Sequence, residues 1–175
     1  MALRDSQPTV WRRIQVKSDT TLAKLHRILQ CVMGWEDAHL HQFVIQGQRF
    51  GVPDEDHLDP RETKDERKIK LREIAAAASG QFVYRYDFGD DWQHTLEIEK
   101  TCPLDKSVCY PSCLAGVCAC PPEDVGGIPG YENFLEALRD PKHPEHDEMM
   151  EWIGGTFDPE AFDINETNQR LSELK

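Results

Sequence analysis

The chain has 175 residues, 39% hydrophobic and 30% charged, with a net charge of −12. A chain of this length and balance buries its own core and is not a disordered tail. The acidic excess argues against non-specific binding to DNA or RNA, because a phosphate backbone is attracted by clustered Lys and Arg.

Two local basic groups stand out, Arg12, Arg13 and Lys17, and Lys64, Arg67, Lys68, Lys70 and Arg72. Both are expected to be solvated surface. No apolar run approaches the roughly 18 residues of a membrane span. The opening MALRDSQPTVWRR lacks the apolar stretch of a secretory signal. The expected compartment is the cytoplasm, where the six cysteines would stay reduced.

Along the chain, residues 9–16 (TVWRRIQV) alternate and predict a strand. Ser18, Asp19 or Thr20 offers an N-cap for a helix striped by Leu22, Leu25, Leu29, Val32 and Met33, and Gly34 suits its end. Residues 39–47 (HLHQFVIQG) read as a strand running into QRFG. The opening is therefore β-α-β-β, an order like that of a β-grasp layout. Residues 53–66 form an acidic, proline-containing loop, and 68–74 (KIKLREI) alternate as a further strand. The alanine run after it suits a turn or a single helical turn.

Residues 82–99 (FVYRYDFGDDWQHTLEIE) predict a hairpin. Phe82, Tyr84, Tyr86 and Phe88 share one face of their strand, and Trp92, His94, Leu96 and Ile98 share one face of theirs. Opposing Phe88 to Trp92 pairs Tyr86 with His94, Tyr84 with Leu96 and Phe82 with Ile98. A one-residue slip would put Gln93, Thr95 and Glu97 on the buried face. The loop is then Gly89-Asp90-Asp91, with Asp87 on the opposite face of its strand and His94 inward among aromatics. An inward histidine needs a partner, either a structural hydrogen bond or a ligand or acid–base role.

Residues 100–130 lose all regularity and read as a long pinned loop rich in Cys and Pro. Helices return at YENFLEALRDP, stopped by Pro141, and at HPEHDEMMEWIGG, with Pro144 in the first turn. Asp163 with Glu166 suggests a capping box for a last helix.

Three groups could carry chemistry. Cys102, Cys109, Cys113, Cys118 and Cys120 space as C-x6-C-x3-C-x4-C-x-C, a candidate zinc set that would pin the loop. Asp87, Asp90, Asp91, Glu123 and Asp124, with His94, are donor types for a divalent ion or for metal-assisted hydrolysis, provided the PPED loop folds back over the hairpin. His39 with His41, and His143 with His146, are two further pairs of metal-ligating type, more simply explained as a strand edge and a solvated surface. Asp87-Phe88-Gly89 spells a kinase magnesium tripeptide, but no glycine-rich phosphate loop or catalytic-loop motif accompanies it. No nucleophile elbow, P-loop or H-E-x-x-H occurs either.

The words WRRIQV, LHRILQCVMGWEDAHLHQF, YRYDFGDDWQH, CPPEDVGGIPGYENFLEAL and HPEHDEMMEWIGGTFDPEAFDINETNQRL occur in that order and cover residues 8–171. In them the chain resembles the plasmid pRiA4b open-reading-frame-three-like (ORF-3-like) family. The resemblance implies an α+β fold with a mixed or antiparallel sheet and no established activity. Some members carry a resolvase label; this sequence has no serine-recombinase signature and no basic tail. The family pattern matches Cys113 and Cys120 better than Cys102, Cys109 and Cys118, so a full zinc set would belong to this member.

The expectation is one α+β domain over 1–175: a β-rich part at 8–100 with the β-grasp-like unit, the Cys/Pro-rich loop at 101–130, and a helical part at 131–175. Its function is expected to be a non-enzymatic module that binds a protein or small ligand through Tyr86, Asp87, Asp90, Asp91, Trp92, His94, Glu123 and Asp124. The alternative is a metal-dependent hydrolase with His94, Asp87 and Asp90 as catalytic candidates. A third reading is a nucleic-acid-associated protein of mobile elements.

Overall fold

The computed structural model describes residues 1–52, 62–77 and 80–174. Eight strands form one mixed sheet: β1 (Ala2–Leu3), β2 (Trp11–Gln15), β3 (His41–Ile45), β4 (Gln48–Gly51), β5 (Thr63–Asp65), β6 (Gln81–Tyr86), β7 (Trp92–Glu97) and β8 (Ser112–Val117). Their order is β5-β4-β3-β6-β7-β1-β2-β8. Among the described residues, only β4 and β5 pair in parallel. Among the described residues the α-helices of the α+β fold are α1 (Leu22–Met33), α2 (Leu71–Ala77), α3 (Gly127–Arg139), α4 (His146–Ile153) and α5 (Ile164–Glu173). No helix among the described residues is long and apolar enough to cross a membrane.

The apolar stripe of α1 buries Leu22, Leu25, Leu29, Val32 and Met33 as its period requires. The side chain of Thr21 accepts the Lys24 N–H at 3.3 Å and caps the helix. Ser18, Asp19 and Thr20 do not, because Thr20 closes a turn back to the Lys17 carbonyl and the chain enters the helix one residue later. Gly34, at φ 84°, returns its N–H to the Gln30 carbonyl as a left-handed end does.

The central hairpin keeps the inferred faces but not the inferred register. Tyr86 opposes Trp92, Tyr84 opposes His94 and Phe82 opposes Leu96, two residues from the expected pairing. A two-residue shift preserves every facing, so the apolar pattern alone could not distinguish the two. The connection is longer than three residues: the Asp91 N–H bonds the Asp87 carbonyl, with both aspartates at positive φ, 53° and 55°. Asp87 is therefore a loop residue rather than the opposite face of a strand.

Residues 68–74 are not a strand. A 3-10 turn at Glu66–Lys68, capped by Asp65 on the Arg67 N–H, leads into α2. Leu71 and Ile74 are both buried at a helical i, i+3 step, and the following alanines give the helix its length. Of the acidic loop, residues 53–61 lie outside the described residues. The stretch 100–130 is also more ordered than its sequence suggests, since β8 pairs along β2 from Trp11↔Val117 to Gln15↔Ser112. The outer edge of β8 is closed by Asn168 of α5, which accepts the Cys113 N–H at 2.8 Å and donates to the Cys113 carbonyl at 3.0 Å. One side-chain amide thus stands in for a neighbouring strand's peptide group.

Helix α3 begins at Gly127, four residues before the expected start, because Pro129 is tolerated in a first turn where N–H groups lack intrahelical partners. Pro144 precedes the N-cap Glu145 of α4 rather than lying inside it. Asp163 caps α5 by accepting the Asn165 and Glu166 N–H groups.

The core joins α1, α2 and α3 to the sheet: Phe43, Phe82, Tyr84, Tyr86, Trp92 and Leu96 meet Leu25, Leu29, Leu71, Ile74, Tyr131, Phe134 and Leu135. Arg12, expected at the surface, is buried among the strand and loop carbonyls near Cys118, its guanidinium over the Phe162 ring at 4.1 Å.

Candidate functional site

Three segments far apart in sequence meet at one end of the sheet: 35–40 (WEDAHL) before β3, 86–91 (YDFGDD) between β6 and β7, and 121–127 (PPEDVGG) before α3. The Tyr86 hydroxyl is the central clasp. It donates to Glu123 Oε1 at 2.5 Å and accepts the N–H groups of Ala38 at 3.0 Å and His39 at 3.3 Å. Burial, and the Glu123 carboxylate second, push its pKa above the ordinary tyrosine value. Glu123 Oε2 accepts the Glu36 N–H at 2.8 Å, and Trp35 Nε1 donates to the Pro121 carbonyl at 3.0 Å. Asp90 Oδ2 accepts the Gly126 N–H at 3.1 Å.

The loop and hairpin approach so closely at Gly127 that a Cβ there would collide with the Asp90 carbonyl oxygen, and φ is +67°. Gly127→Ala is therefore expected to cost about 2 kcal/mol, since a side chain must adopt a strained conformation or separate the two segments. Urea unfolding measures it, and an unchanged midpoint would show that the contact yields without strain.

Within this junction the acidic residues have different occupations. Asp90 and Glu123 are spent on backbone N–H groups and on Tyr86. Asp91 is held by Arg85 and accepts from the Gln93 amide. Asp87 Oδ1 accepts the Gly89 N–H at 2.9 Å. Its Oδ2 faces His39 Nε2 at 3.8 Å, and Asp124 Oδ1 lies 3.0 Å from that same nitrogen. The Asp124 contact is not aligned as a hydrogen bond, so His39 Nε2 is a buried nitrogen with no hydrogen-bond partner. Asp87 is 8% exposed. Asp124 takes a left-handed φ of 60°, a conformation aspartate tolerates better than most residues. Donor atoms of His39, Asp87 and Asp124 all lie within 4.8 Å of one another.

A second group of metal-ligating type, His26, Asp37 and His41, is a hydrogen-bond network instead. His26 Nε2 meets Asp37 Oδ1 at 2.7 Å and its Nδ1 meets the Tyr84 hydroxyl at 2.8 Å. His41 Nε2 meets the buried Glu66 carboxylate at 2.8 Å. The two imidazoles stack at 3.4 Å and 4°. An ion bonded to a ring nitrogen lies in that ring's plane, and two parallel planes cannot share one ion. Burial first, then the neighbouring His41, lowers the His26 pKa to about 4 against the pull of Asp37.

Several expected site residues are placed elsewhere. Trp92 and His94 are fully buried, His94 between Trp35 and Tyr84, so neither contributes to a binding face. Neither His94 ring nitrogen makes a well-aligned hydrogen bond, and burial lowers its pKa to about 3 against a smaller upward pull from the Tyr84 and Trp92 backbones. It is a neutral core residue and not a proton carrier at the acidic junction. Tyr86 is buried as well; its ring packs on Trp35 and His39, and its hydroxyl makes its polar contacts at the junction. The five cysteines are not gathered into a tetrahedron: Cys102 and Cys109 are exposed, Cys113 and Cys118 are buried, and no cysteine belongs to a metal-competent group among the described residues. His143 and His146 serve the α3–α4 turn, through the Glu145 N–H and the Ala137 carbonyl.

His39 is the junction residue that sequence did not group with the acids. The repeat His39-x-His41 put both on one strand face, whereas β3 begins only at His41 and His39 turns toward the hairpin.

The model of the plasmid pRiA4b ORF-3-like protein family matches residues 1–166. An uncharacterized protein, y4hQ of Sinorhizobium fredii (strain NBRC 101917 / NGR234), is 39% identical over 170 residues, covering 96% of this chain and 86% of its own length. A crystal structure of a protein of unknown function, MM3350 from Methanosarcina mazei Go1, superposes with a TM-score of 0.86 at 38% identity, over 94% of this chain and 93% of its own. Matched along nearly its whole length in sequence and in fold, the chain belongs to the plasmid pRiA4b ORF-3-like family.

Proposed function

We propose that this protein is a non-enzymatic ligand-binding module whose working face is the three-segment junction, and that its ligand is cationic. The observation that carries the reading is uncompensated charge. Glu36, Asp37, Asp87, Asp90, Glu123 and Asp124 gather there, and among the described residues their ion-pair partners are only the histidines His26 and His39. Arg85 attends to Asp91. The net charge of −12 adds a long-range attraction of the same sign. The clasp of Tyr86, Glu123 and Trp35 supports the reading too, because it fixes the acids in place before any ligand arrives.

The test is a titration of ¹⁵N-labelled protein with a hexalysine peptide, spermidine and divalent zinc in turn. Amide signals of residues 35–40, 86–91 and 121–127 are expected to move with at least one of them, while those of β2 and β8 stay still. Signals unmoved by all three, or moved uniformly over the surface, would overturn the reading.

A further inference from the structure

Resting on the reading of this junction as the working face, we infer that His39, Asp87 and Asp124 form a binding site for one first-row divalent cation of zinc-like, borderline character. The donor spacing fits an ion. With bonds of about 2.1 Å, two donors at a right angle sit about 3.0 Å apart, and donors on opposite sides about 4.2 Å apart. His39 Nε2 lies 3.0 Å from Asp124 Oδ1 and 3.8 Å from Asp87 Oδ2, both inside that range.

The donors are also available. His39 Nε2 is buried and makes no hydrogen bond, although two carboxylates lie within reach. A protonated ring would be expected to swing into alignment with one of them; a neutral ring with its lone pair facing the carboxylates repels both. A cation between the three, bound through the lone pair of the neutral ring, removes that repulsion. Asp87 Oδ2 is similarly free, since the Gly89 N–H occupies Oδ1 and no lysine or arginine among the described residues pairs with this carboxylate.

The ligand types select the ion. Hard Mg²⁺ and Ca²⁺ favour sets made wholly of oxygen, whereas an imidazole with two carboxylates suits zinc and its first-row neighbours. Three protein ligands leave at least one coordination position open. It faces solvent, because the Asp124 side chain is 71% exposed and that of His39 31%. Each ligand is held by a different element: Asp87 by the hairpin turn, Asp124 by the loop that Tyr86 and Asp90 pin, and His39 by the entry to β3. A cation here would therefore lock the three segments together.

The experiment uses untagged protein with Cys102 and Cys109, both exposed, replaced by Ser, so that surface thiols do not take up metal. After EDTA treatment and dialysis, zinc uptake is measured by elemental mass spectrometry and calorimetry, and Co²⁺ serves as a spectroscopic probe. The expected result is one equivalent per chain, with cobalt ligand-field bands and no thiolate charge-transfer absorption. His39→Ala and Asp87→Asn are each expected to weaken zinc binding at least about tenfold, and Glu148→Gln, an exposed carboxylate on α4 outside the junction, to leave it unchanged. Circular dichroism confirms that the variants are folded; should His39→Ala not fold, His39→Gln replaces it.

Uptake indifferent to both ligand changes, a cobalt spectrum with thiolate absorption, or no uptake at all would overturn the assignment. A junction that still shifts with hexalysine or spermidine while taking up no metal removes this inference and leaves the cationic-ligand reading standing. A junction that responds to nothing removes both.

Discussion

Acidification from pH 6.5 toward 4 is expected to cost this protein several kcal/mol of folding stability before most carboxylates titrate. The cause is two buried histidines. His26 and His94 have folded-state pKa values of about 4 and about 3, both depressed by burial. His41, stacked on His26, adds a smaller push in the same direction, opposed by Asp37 and Glu66; the N-terminal ammonium adds one on His94. In the unfolded chain each ring titrates near 6.5. The unfolded state therefore takes up protons first as pH falls, and stability declines from about pH 6.5 until the folded rings titrate in turn. Above pH 7 both states are neutral at these positions and the effect vanishes. Each ring is worth on the order of 3 kcal/mol across its window. Urea unfolding at pH 7.5, 6.5, 5.5 and 4.5 measures the decline. A His94→Leu variant, which replaces the titrating ring by an apolar side chain of similar volume, should lose markedly less over the same range. Equal slopes for the two proteins would mean that His94 is solvated in the native state.

Replacing Arg12 by Met should be among the most damaging single changes in the molecule, with an expected loss of about 3–5 kcal/mol. Arg12 is 3% exposed and forms no ion pair with a carboxylate among the described residues. Its guanidinium instead donates to four carbonyls: Val32 at 3.1 Å, Trp11 at 2.8 Å, Val117 at 2.8 Å and Cys118 at 2.7 Å. Those carbonyls belong to β2, the end of α1, the end of β8 and the turn after it, so one side chain fastens three parts of the fold. Burial lowers its pKa, yet the guanidinium stays charged because its ordinary value lies so high. Methionine fills the space and stacks on Phe162 but leaves the four acceptors without their donor. Lysine would restore the charge without the planar fork and should recover only part of the loss. A loss of this size lowers the thermal midpoint by roughly 10 °C in a chain of this length. Stability within about 1 kcal/mol of the parent would show that water readily replaces the guanidinium.

The fold class, helix α1 with its end, and the facing of the central hairpin were legible in the sequence, because each follows from local periodicity and end signals. The α1 stripe with Gly34 is a 3.6-residue repeat with a left-handed stop. The alternation of Phe82, Tyr84 and Tyr86 against Trp92, His94 and Leu96 fixes which side of the sheet is buried. The hairpin register was not legible, since a shift of two residues leaves alternation untouched and depends on the conformation of Asp87 and Asp91. Nor was α2, because a seven-residue apolar pattern serves helix and strand alike until its surroundings choose.

The candidate site divides in the same way. Sequence singled out the words YDFGDDW and PPEDVGG, which the fold brings together, and named Asp87 and Asp124 as possible donors. Which of the acids remain free is a tertiary matter: Asp90 is consumed by Gly126, Glu123 by Tyr86, and Asp91 by Arg85. His39 joins them, and His94 leaves them, through the path of the backbone. The chain turns before β3 begins, and the inward face of β7 is sealed by Trp35 and Tyr84. Composition and periodicity determine which residues are buried and which segments are regular, because those follow from short-range sterics and the hydrophobic pattern. Contacts between residues 39, 87 and 124 depend on how three separate turns close on one another, and no local preference encodes that distance.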